Sequence, residues 1–254
     1  MKRKLNIIPQ LKPFIDMPFK DKYAITTTII QRQFREHPGK LAVAWSGGKD
    51  STIVLYLVLG IDSHIPVIFN NTGIEYPETI AFIRDITHAW NLNLIETKPI
   101  KLFWQCVDEY GWPKPKRHHI SEGNNTGKCC YWMKEKPMKL ALQLIGAKGY
   151  FTGITAIENR TRMFNARDLG TCYKTDGVIK IHPILYWTSD EVWQYAKENR
   201  IRMNDIYTKG AERCGCSCCT AFDSWESQLS VLNPKLYRLV KSRKDHQSVM
   251  DLNF

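Results

Sequence analysis

Apolar residues in the middle of the chain follow two rhythms. Short, nearly continuous β-rich runs occur at Leu41–Trp45, Pro66–Asn70, Leu94–Thr97 and Tyr150–Gly153, each bounded by turn-forming residues. Runs of this length and composition read as buried strands. Helix-length amphipathic stretches separate them, and the alternation predicts an α/β fold: a parallel sheet with crossover helices.

Local punctuation sets the helix limits. Pro77 suits a first helical turn, where its missing N–H is no loss. Thr188-Ser-Asp-Glu191 is a capping-box pattern followed by Val192, Trp193, Tyr195 and Ala196, so a helix is expected to about Glu198. Another helix should run from Cys130 towards Ile145 and stop near Gly146, with a kink or break at Pro137. Asp223-Ser-Trp-Glu226 opens a C-terminal helix. The first forty residues read as an extended arm and then a helix from about Thr26 to Glu36, closed by His37-Pro38-Gly39. Between Gly111 and Lys128, prolines, a basic run (Lys114, Lys116, Arg117, His118, His119) and Gly123-Asn-Asn-Thr-Gly127 leave no periodicity. A mobile loop over the site is expected there. The organisation expected is thus an N-terminal arm and helix (1–40), a main domain (41–222) and a helical tail (223–254).

Composition narrows the class. The 254 residues are 43% hydrophobic, enough to bury a full core. The longest apolar run, Ile53 to Ile61, is far short of the roughly 20 residues a bilayer-spanning helix needs, and Met1 to Lys20 carries charges and prolines throughout, so no membrane span or secretory signal is expected. Six of the eight cysteines fall in two clusters, Cys129–Cys130 and Cys214, Cys216, Cys218 and Cys219. Clustered thiols without a secretion signal favour metal or redox chemistry in a reducing compartment, which implies the cytoplasm. The formal net charge of +11 should attract polyanions: nucleotides, a nucleic acid or an acidic protein.

Leu-Ala-Val-Ala-Trp-Ser46-Gly47-Gly48-Lys49-Asp50-Ser51-Thr52 places a tight glycine turn between a buried strand and a helix. Glycines let backbone N–H groups approach an anion, the helix N-terminus adds partial positive charge, and Ser46, Lys49 and Ser51 supply further donors. The turn lacks the Gly-Lys-[Ser/Thr] ending of a Walker A loop. It resembles the PP-loop of the N-type ATP pyrophosphatases. That resemblance implies a Rossmann-like fold of the adenine nucleotide α-hydrolase (HUP) type: five parallel strands, helices on both faces and a C-terminal helical extension. It also implies ATP bound with Mg²⁺, cleavage between the α and β phosphates, and transfer of AMP to a substrate oxygen. Ser46, Gly47, Gly48, Lys49 and Ser51 would hold the departing pyrophosphate while Asp50 orients the loop or the metal. Asn71-Thr72-Gly73 is similar to the Asp-Thr-Gly segment that borders the nucleotide in PAPS reductases, with Asn71 replacing the Asp; Thr72 and Gly73 carry over.

The cysteines give the second signal. Thiolates are soft ligands for iron–sulfur clusters or zinc, and Cys216-Ser-Cys-Cys219 puts two sulfurs on one side of a turn. Vicinal Cys129-Cys130 fits the separate irons of a cluster better than two corners of one zinc ion, so a [4Fe–4S] cluster is favoured, with zinc the alternative. Cys129-Cys130-Tyr-Trp-Met-Lys134 and Gly215-Cys216-Ser-Cys-Cys219-Thr220 resemble the paired motifs of the [4Fe–4S] APS reductases. By that resemblance Cys129, Cys130, Cys216 and Cys219 are the ligands, and Lys134 lies between the cluster and the substrate's charged groups. Gly153-Ile-Thr-Ala-Ile-Glu158-Asn-Arg160-Thr-Arg162 is similar to the family's arginine-bearing substrate segment, and a guanidinium such as that of Arg162 suits phosphate or sulfate.

Two departures shape the expected chemistry. APS and PAPS reductases use a cysteine near the C-terminus, whereas no cysteine follows Cys219 in this sequence; and those reductases usually carry a degraded PP-loop, whereas this one is intact. Both favour an ATP-dependent sulfurtransferase, resembling the enzymes of DNA phosphorothioation (the DndC type), with Lys49, Asp50, Lys134 and Arg162 as catalytic groups. Cys218 or Cys214 would carry persulfide sulfur. The alternatives are a phosphoadenosine or adenosine phosphosulfate reductase, and a non-catalytic iron–sulfur protein that binds nucleotide or nucleic acid. Expected partners are a nucleotide (ATP, APS or PAPS), a cysteine desulfurase or thioredoxin-like protein, a nucleic acid, and a second copy in a homodimer.

Overall fold

The computed structural model describes residues 6–114 and 128–251; most of the loop expected at 111–128, with its run Lys116–His119, therefore lies outside the described residues. The apolar runs form β1 (Leu41–Ala44), β2 (Val67–Asn70), β3 (Leu94–Thr97) and β4 (Gly149–Phe151), joined by β5 (Cys172–Thr175) and β6 (Val178–Ile181). Their order in the single sheet is β3-β2-β1-β4-β6-β5. β1 pairs in parallel with β2 (Val43 opposite Val67) and with β4 (Leu41 opposite Gly149), and β4 with β6 (Phe151 opposite Ile181). Val67 N donates to Asn93 O and Asn71 N to Thr97 O, so β3 rises alongside β2. Five parallel strands match the expected sheet. β5 adds an antiparallel edge, with Cys172 opposite Ile181, across a turn at Asp176 (φ 51°) and Gly177 (φ 81°). The buried character of β1 and β2 is what central strands covered on both faces require.

The helices are α1 (Phe19–Glu36), α2 (Lys49–Leu59), α3 (Pro77–Ala89), α4 (Phe103–Tyr110), α5 (Lys136–Leu144), α6 (Arg160–Leu169), α7 (Ser189–Glu198), α8 (Trp225–Leu232) and α9 (Pro234–Asp251). α1 starts seven residues before the Thr26 expected from sequence, because Lys22, only 2% exposed, is neutralised by Glu191 at 2.7 Å. The arm ahead of it is not extended: it folds into a 3₁₀ turn (Pro9–Leu11) and a short helix (Lys12–Ile15) whose Ile8, Leu11 and Ile15 pack with Ala156, Met163, Ala166 and Leu185. At Pro137 the expected disturbance takes a definite form. A π-helical segment, Tyr131–Glu135, leads into α5, and its wider turn relieves the clash that a proline ring makes with the carbonyl four residues back.

The chain forms two compact units. One takes residues up to 69, 84–95 and 141–203; the other takes 70–83, 96–140 and those from 204 onward. The second has its own core, including Tyr76, Phe103, Cys106, Met133, Cys218 and Trp225. Among the described residues no helix is long and apolar enough to cross a membrane.

Candidate functional site

In the first unit the chain leaves β1 through Trp45, 2% exposed, whose indole Nε1 donates to Thr52 Oγ1 at 3.0 Å. That bond anchors the start of α2 beneath the turn. Gly47 takes φ 70°, a conformation open to glycine at little cost. Ser51 is the hub of the turn: its Oγ accepts from Ser46 N at 3.3 Å, lies 3.1 Å from Ser46 Oγ and donates to Gly48 O at 3.0 Å. Lys49 Nζ lies 2.6 Å from Asp50 Oδ1. Burial pushes the Asp50 carboxyl up; Lys49 pulls it back down, Glu158 raises it and Arg162 lowers it. Arg162 and Glu158 form an ion pair of their own, and Asn159 Oδ1 accepts from Arg162 N to cap α6. The sequence-predicted Lys49, Asp50 and Arg162 thus share one electrostatic neighbourhood.

Two features of this unit were not assigned roles from sequence. A Cβ at Gly153 would stand 2.3 Å from Ser51 N and 2.5 Å from Asp50 C, so the end of β4 lies directly against the phosphate turn and admits only glycine. The neighbouring Thr152 Oγ1 lies 2.6 Å from His182 Nδ1. Burial, then the charges of Lys180 and Arg162, lower the His182 pKa to about 4. Gly153 opens the arginine-bearing segment read from sequence, but its contact, like that of Thr152 with His182, is tertiary.

In the second unit, Gly73 N donates to Asn71 Oδ1 at 3.0 Å, and Asn71 Nδ2 donates to Glu96 Oε1 at 2.7 Å. Asn71 thus caps the turn itself. Thr72 Oγ1 donates to Glu75 Oε1 at 2.7 Å and lies 3.6 Å from Cys216 Sγ. Ser217 N donates to Ile74 O at 2.8 Å, and Glu75 and Cys216 form an isolated antiparallel bridge, so backbone pairing fixes the cysteine turn on the 71–75 segment. Glu75 is the residue here that sequence reasoning passed over.

The four expected thiols feel one another's charge. A hydrogen bond to Cys130, burial and the charges of Cys130, Cys219 and Cys216 all raise the Cys129 thiol. Burial brings Cys216 to about 11 against the pull of Lys134, and burial likewise raises Cys219. Lys134 is held protonated chiefly by Cys216, with Glu75 and Cys130 adding to it. Among the described residues no group of three or more His, Cys, Asp or Glu side chains is arranged to hold a metal ion. The donor chemistry nevertheless fits a thiolate-ligated metal centre: Cys129, Cys216 and Cys219 are all pushed up, in part by one another or by Cys130, and a cation would relieve them. Cys218 is 2% exposed in the core, unsuited to carrying sulfur to a substrate, whereas Cys214 is half-buried. Cys106 is a core residue, and Cys172 lies 3.7 Å from an Arg32 nitrogen on the edge strand.

A glycine turn from the carboxyl end of central strand β1 into α2, in a mostly parallel sheet, gives the chain the form of a nucleotide-binding α/β fold. Within it, the chain belongs to the phosphoadenosine phosphosulfate reductase domain family, which it matches over residues 40–222. An adenosine 5′-phosphosulfate reductase of Oceanobacillus iheyensis is 26% identical, covering 82% of this chain and 85% of that one. Among solved structures, the PAPS reductase of Candida auris superposes with a TM-score of 0.57 at 17% identity, covering 84% of this chain and 98% of that one. The U34-tRNA thiolase NcsA of Methanococcus maripaludis, solved with its [4Fe–4S] cluster, gives 0.51 at 17% identity, covering 89% and 76%; these likenesses establish the shared fold. The chain spans only 42% and 50% of two Methanocaldococcus jannaschii proteins that it also matches.

Proposed function

We propose that this protein is an ATP-dependent sulfurtransferase of the PP-loop type, which activates a substrate oxygen by AMP transfer before its replacement by sulfur. The observation that carries the reading is the built phosphate turn: Ser51 ties Ser46 to Gly48, and Gly153 presses on Ser51 N without a side chain. A sulfonucleotide is already adenylylated and has no pyrophosphate for such a turn to hold.

In this reading the turn's amides with Ser46, Ser51 and Lys49 hold the β and γ phosphates of ATP with Mg²⁺, Lys49 exchanging its Asp50 partner for phosphate. The substrate oxygen attacks the α-phosphorus. The bond to the bridging oxygen breaks, its electron pair leaves on pyrophosphate, and a sulfur nucleophile then displaces AMP from the acceptor. Arg162 steadies phosphate charge. Cys129, Cys130, Cys216 and Cys219 would hold a [4Fe–4S] cluster, which with all four irons thiolate-ligated would supply a charged, polarisable centre beside the sulfur chemistry, not an open iron. Lys134 keeps an ammonium beside Cys216, and Thr72 and Gly73 border the nucleotide. Cys214 would carry the persulfide: its terminal sulfur bonds to the acceptor as AMP leaves, and two electrons from the thioredoxin-like partner then break the bond between Cys214 and that sulfur. The same-fold tRNA thiolase with its cluster supports a nucleic-acid acceptor, and the +11 charge suits one. The reading includes a cytoplasmic homodimer served by a cysteine desulfurase or thioredoxin-like partner, with 41–222 as the functional domain between arm and tail.

A second reading, a sulfonucleotide reductase, is favoured by the APS reductase likeness over 82% of this chain. Anaerobically purified protein should release pyrophosphate from Mg²⁺-ATP, and Lys49→Ala or Asp50→Ala should abolish it. Sulfite release from APS or PAPS, with ATP untouched, would overturn the proposal. Nucleotide or nucleic-acid binding without turnover of any of the three would mark a non-catalytic protein.

A further inference from the structure

The amino ends of the strands, opposite the phosphate turn, carry a second feature that the proposed function leaves unused. A cavity of about 390 Å³ in the first unit is lined by Glu36, His37, Pro38, Lys40, Lys148 and Lys174, together with Gly177 and Ile179. Lys40 and Lys148 immediately precede the adjacent strands β1 and β4, Lys174 lies on β5 beyond β6, and the backbone holds them in order. Lys40 N donates to His37 O, Lys148 N donates to Lys40 O at 2.7 Å, Ile179 N donates to Lys148 O at 2.9 Å, and Lys174 pairs with Ile179 across the β5–β6 hairpin.

Like charges placed together repel and need a counter-charge. Two candidates lie nearby. Glu36 lines the cavity but is shared within its own helix, accepting from Gln33 Nε2 at 3.1 Å and lying 3.8 Å from Arg32 Nε. The C-terminus of α1 adds the equivalent of roughly half a negative charge. Against three ammonium groups these leave a surplus of roughly one to two positive charges. Among the described residues none of the three lysine side chains forms an ion pair or a hydrogen bond.

The geometry points to a second anion site, formed by Lys40, Lys148 and Lys174, that takes a ligand with closely spaced phosphoryl groups. Three lysines lining one concavity can bring ammonium groups to clustered phosphate oxygens as point charges, and the volume falls within the range of small-ligand pockets. A free oligophosphate and the phosphodiester backbone of a single-stranded nucleic acid share this chemistry. The site is independent of the ATP reading and could deliver either anion to the sheet's other end only by binding it here first.

Acetylation of lysines by a limiting acyl donor, read by mass spectrometry on the full chain, tests the site directly. Inorganic tripolyphosphate, or a single-stranded oligonucleotide in a parallel arm, should protect Lys40, Lys148 and Lys174; the arm that protects identifies the source. Exposed Lys209, outside the site, should react equally in all arms. In calorimetry with tripolyphosphate, Lys148→Gln with Lys174→Gln should weaken this site by about tenfold or more and leave binding at the phosphate turn intact. Ser51→Ala should do the reverse, so failure at one site is distinguishable from failure at the other. Unprotected lysines in both arms, or unchanged binding by the double variant in a Ser51→Ala background, would overturn the inference.

Discussion

At Gly153, a single hydrogen in place of a methyl group decides whether the phosphate turn can form. Gly153→Ala would put a carbon 2.3 Å from Ser51 N, against backbone that cannot swing aside like a side chain. The turn must shift, and misplacement of this order costs about a hundredfold in rate and about 1–3 kcal/mol in stability. Pyrophosphate release with wild-type kinetics from Gly153→Ala would refute the contact. His182 makes a second residue-scale prediction. Its folded pKa, about 4, lies below the ordinary 6.5, so the unfolded chain takes up a proton that the folded one refuses. The stabilisation is fully present above about pH 6.5 and lost as pH falls through 4, amounting to roughly 3 kcal/mol. Urea unfolding across this window should show the loss in wild type, and His182→Gln should flatten it; parallel profiles would disprove the assignment. The sequence could not reveal either contact, because Thr152 and His182 are thirty residues apart and meet only once β4 and β6 are paired. The turn itself was legible, since a strand, two glycines and a helix start are contiguous.

At the scale of elements, α7 shows how one carboxylate can serve two ends of the chain. Thr188 Oγ1 accepts from Glu191 N at 3.2 Å and Glu191 Oε2 accepts from Thr188 N at 2.7 Å, the capping box read from sequence. The same Glu191 neutralises buried Lys22 of α1. Thr188→Ala loses one cap and should cost about 1 kcal/mol, whereas Glu191→Ala strands a buried ammonium and should cost about 3–5 kcal/mol. Lys22→Met combined with Glu191→Gln should recover most of that loss in chemical denaturation; a double variant as unstable as Glu191→Ala would contradict this account. The pair also explains why α1 was read seven residues short: a lysine and its flanking charges look like surface until their partner, 169 residues away, is known. The β5–β6 hairpin is a different kind of omission. Its signal, Asp176-Gly177 between short β-prone runs, is local and suits a tight turn with two positive φ values, but the strands are half-exposed and lack an apolar rhythm. Strands buried on both faces, β1 and β2, were visible for the opposite reason.

For the whole molecule, the proposed cluster would make folding of the second unit depend on what the thiols bind. Cys129 and Cys130 stand just before the π-helical segment, while Cys216 and Cys219 sit on a turn held to Ile74 by Ser217. The clustering of the cysteines was plain in the sequence and the resemblance put Lys134 beside them; Glu75 as a charged neighbour emerges only from the fold. Anaerobic protein should contain about four irons per chain, and Ser in place of Cys129, Cys130, Cys216 or Cys219 should sharply reduce that content, while Cys172→Ser should not. Because ligation is available to the folded arrangement and far less to the unfolded chain, bound metal stabilises the unit that holds it. Chelation should therefore speed hydrogen exchange at the amides of Ser217 and Cys219, whose bonds run to Ile74 O and Cys216 O, and leave Val43 and Trp45 on the central strand protected. Equal acceleration at both sets would mean that the metal supports the fold as a whole, and no acceleration at Ser217 would remove the four cysteines from any metal-binding role.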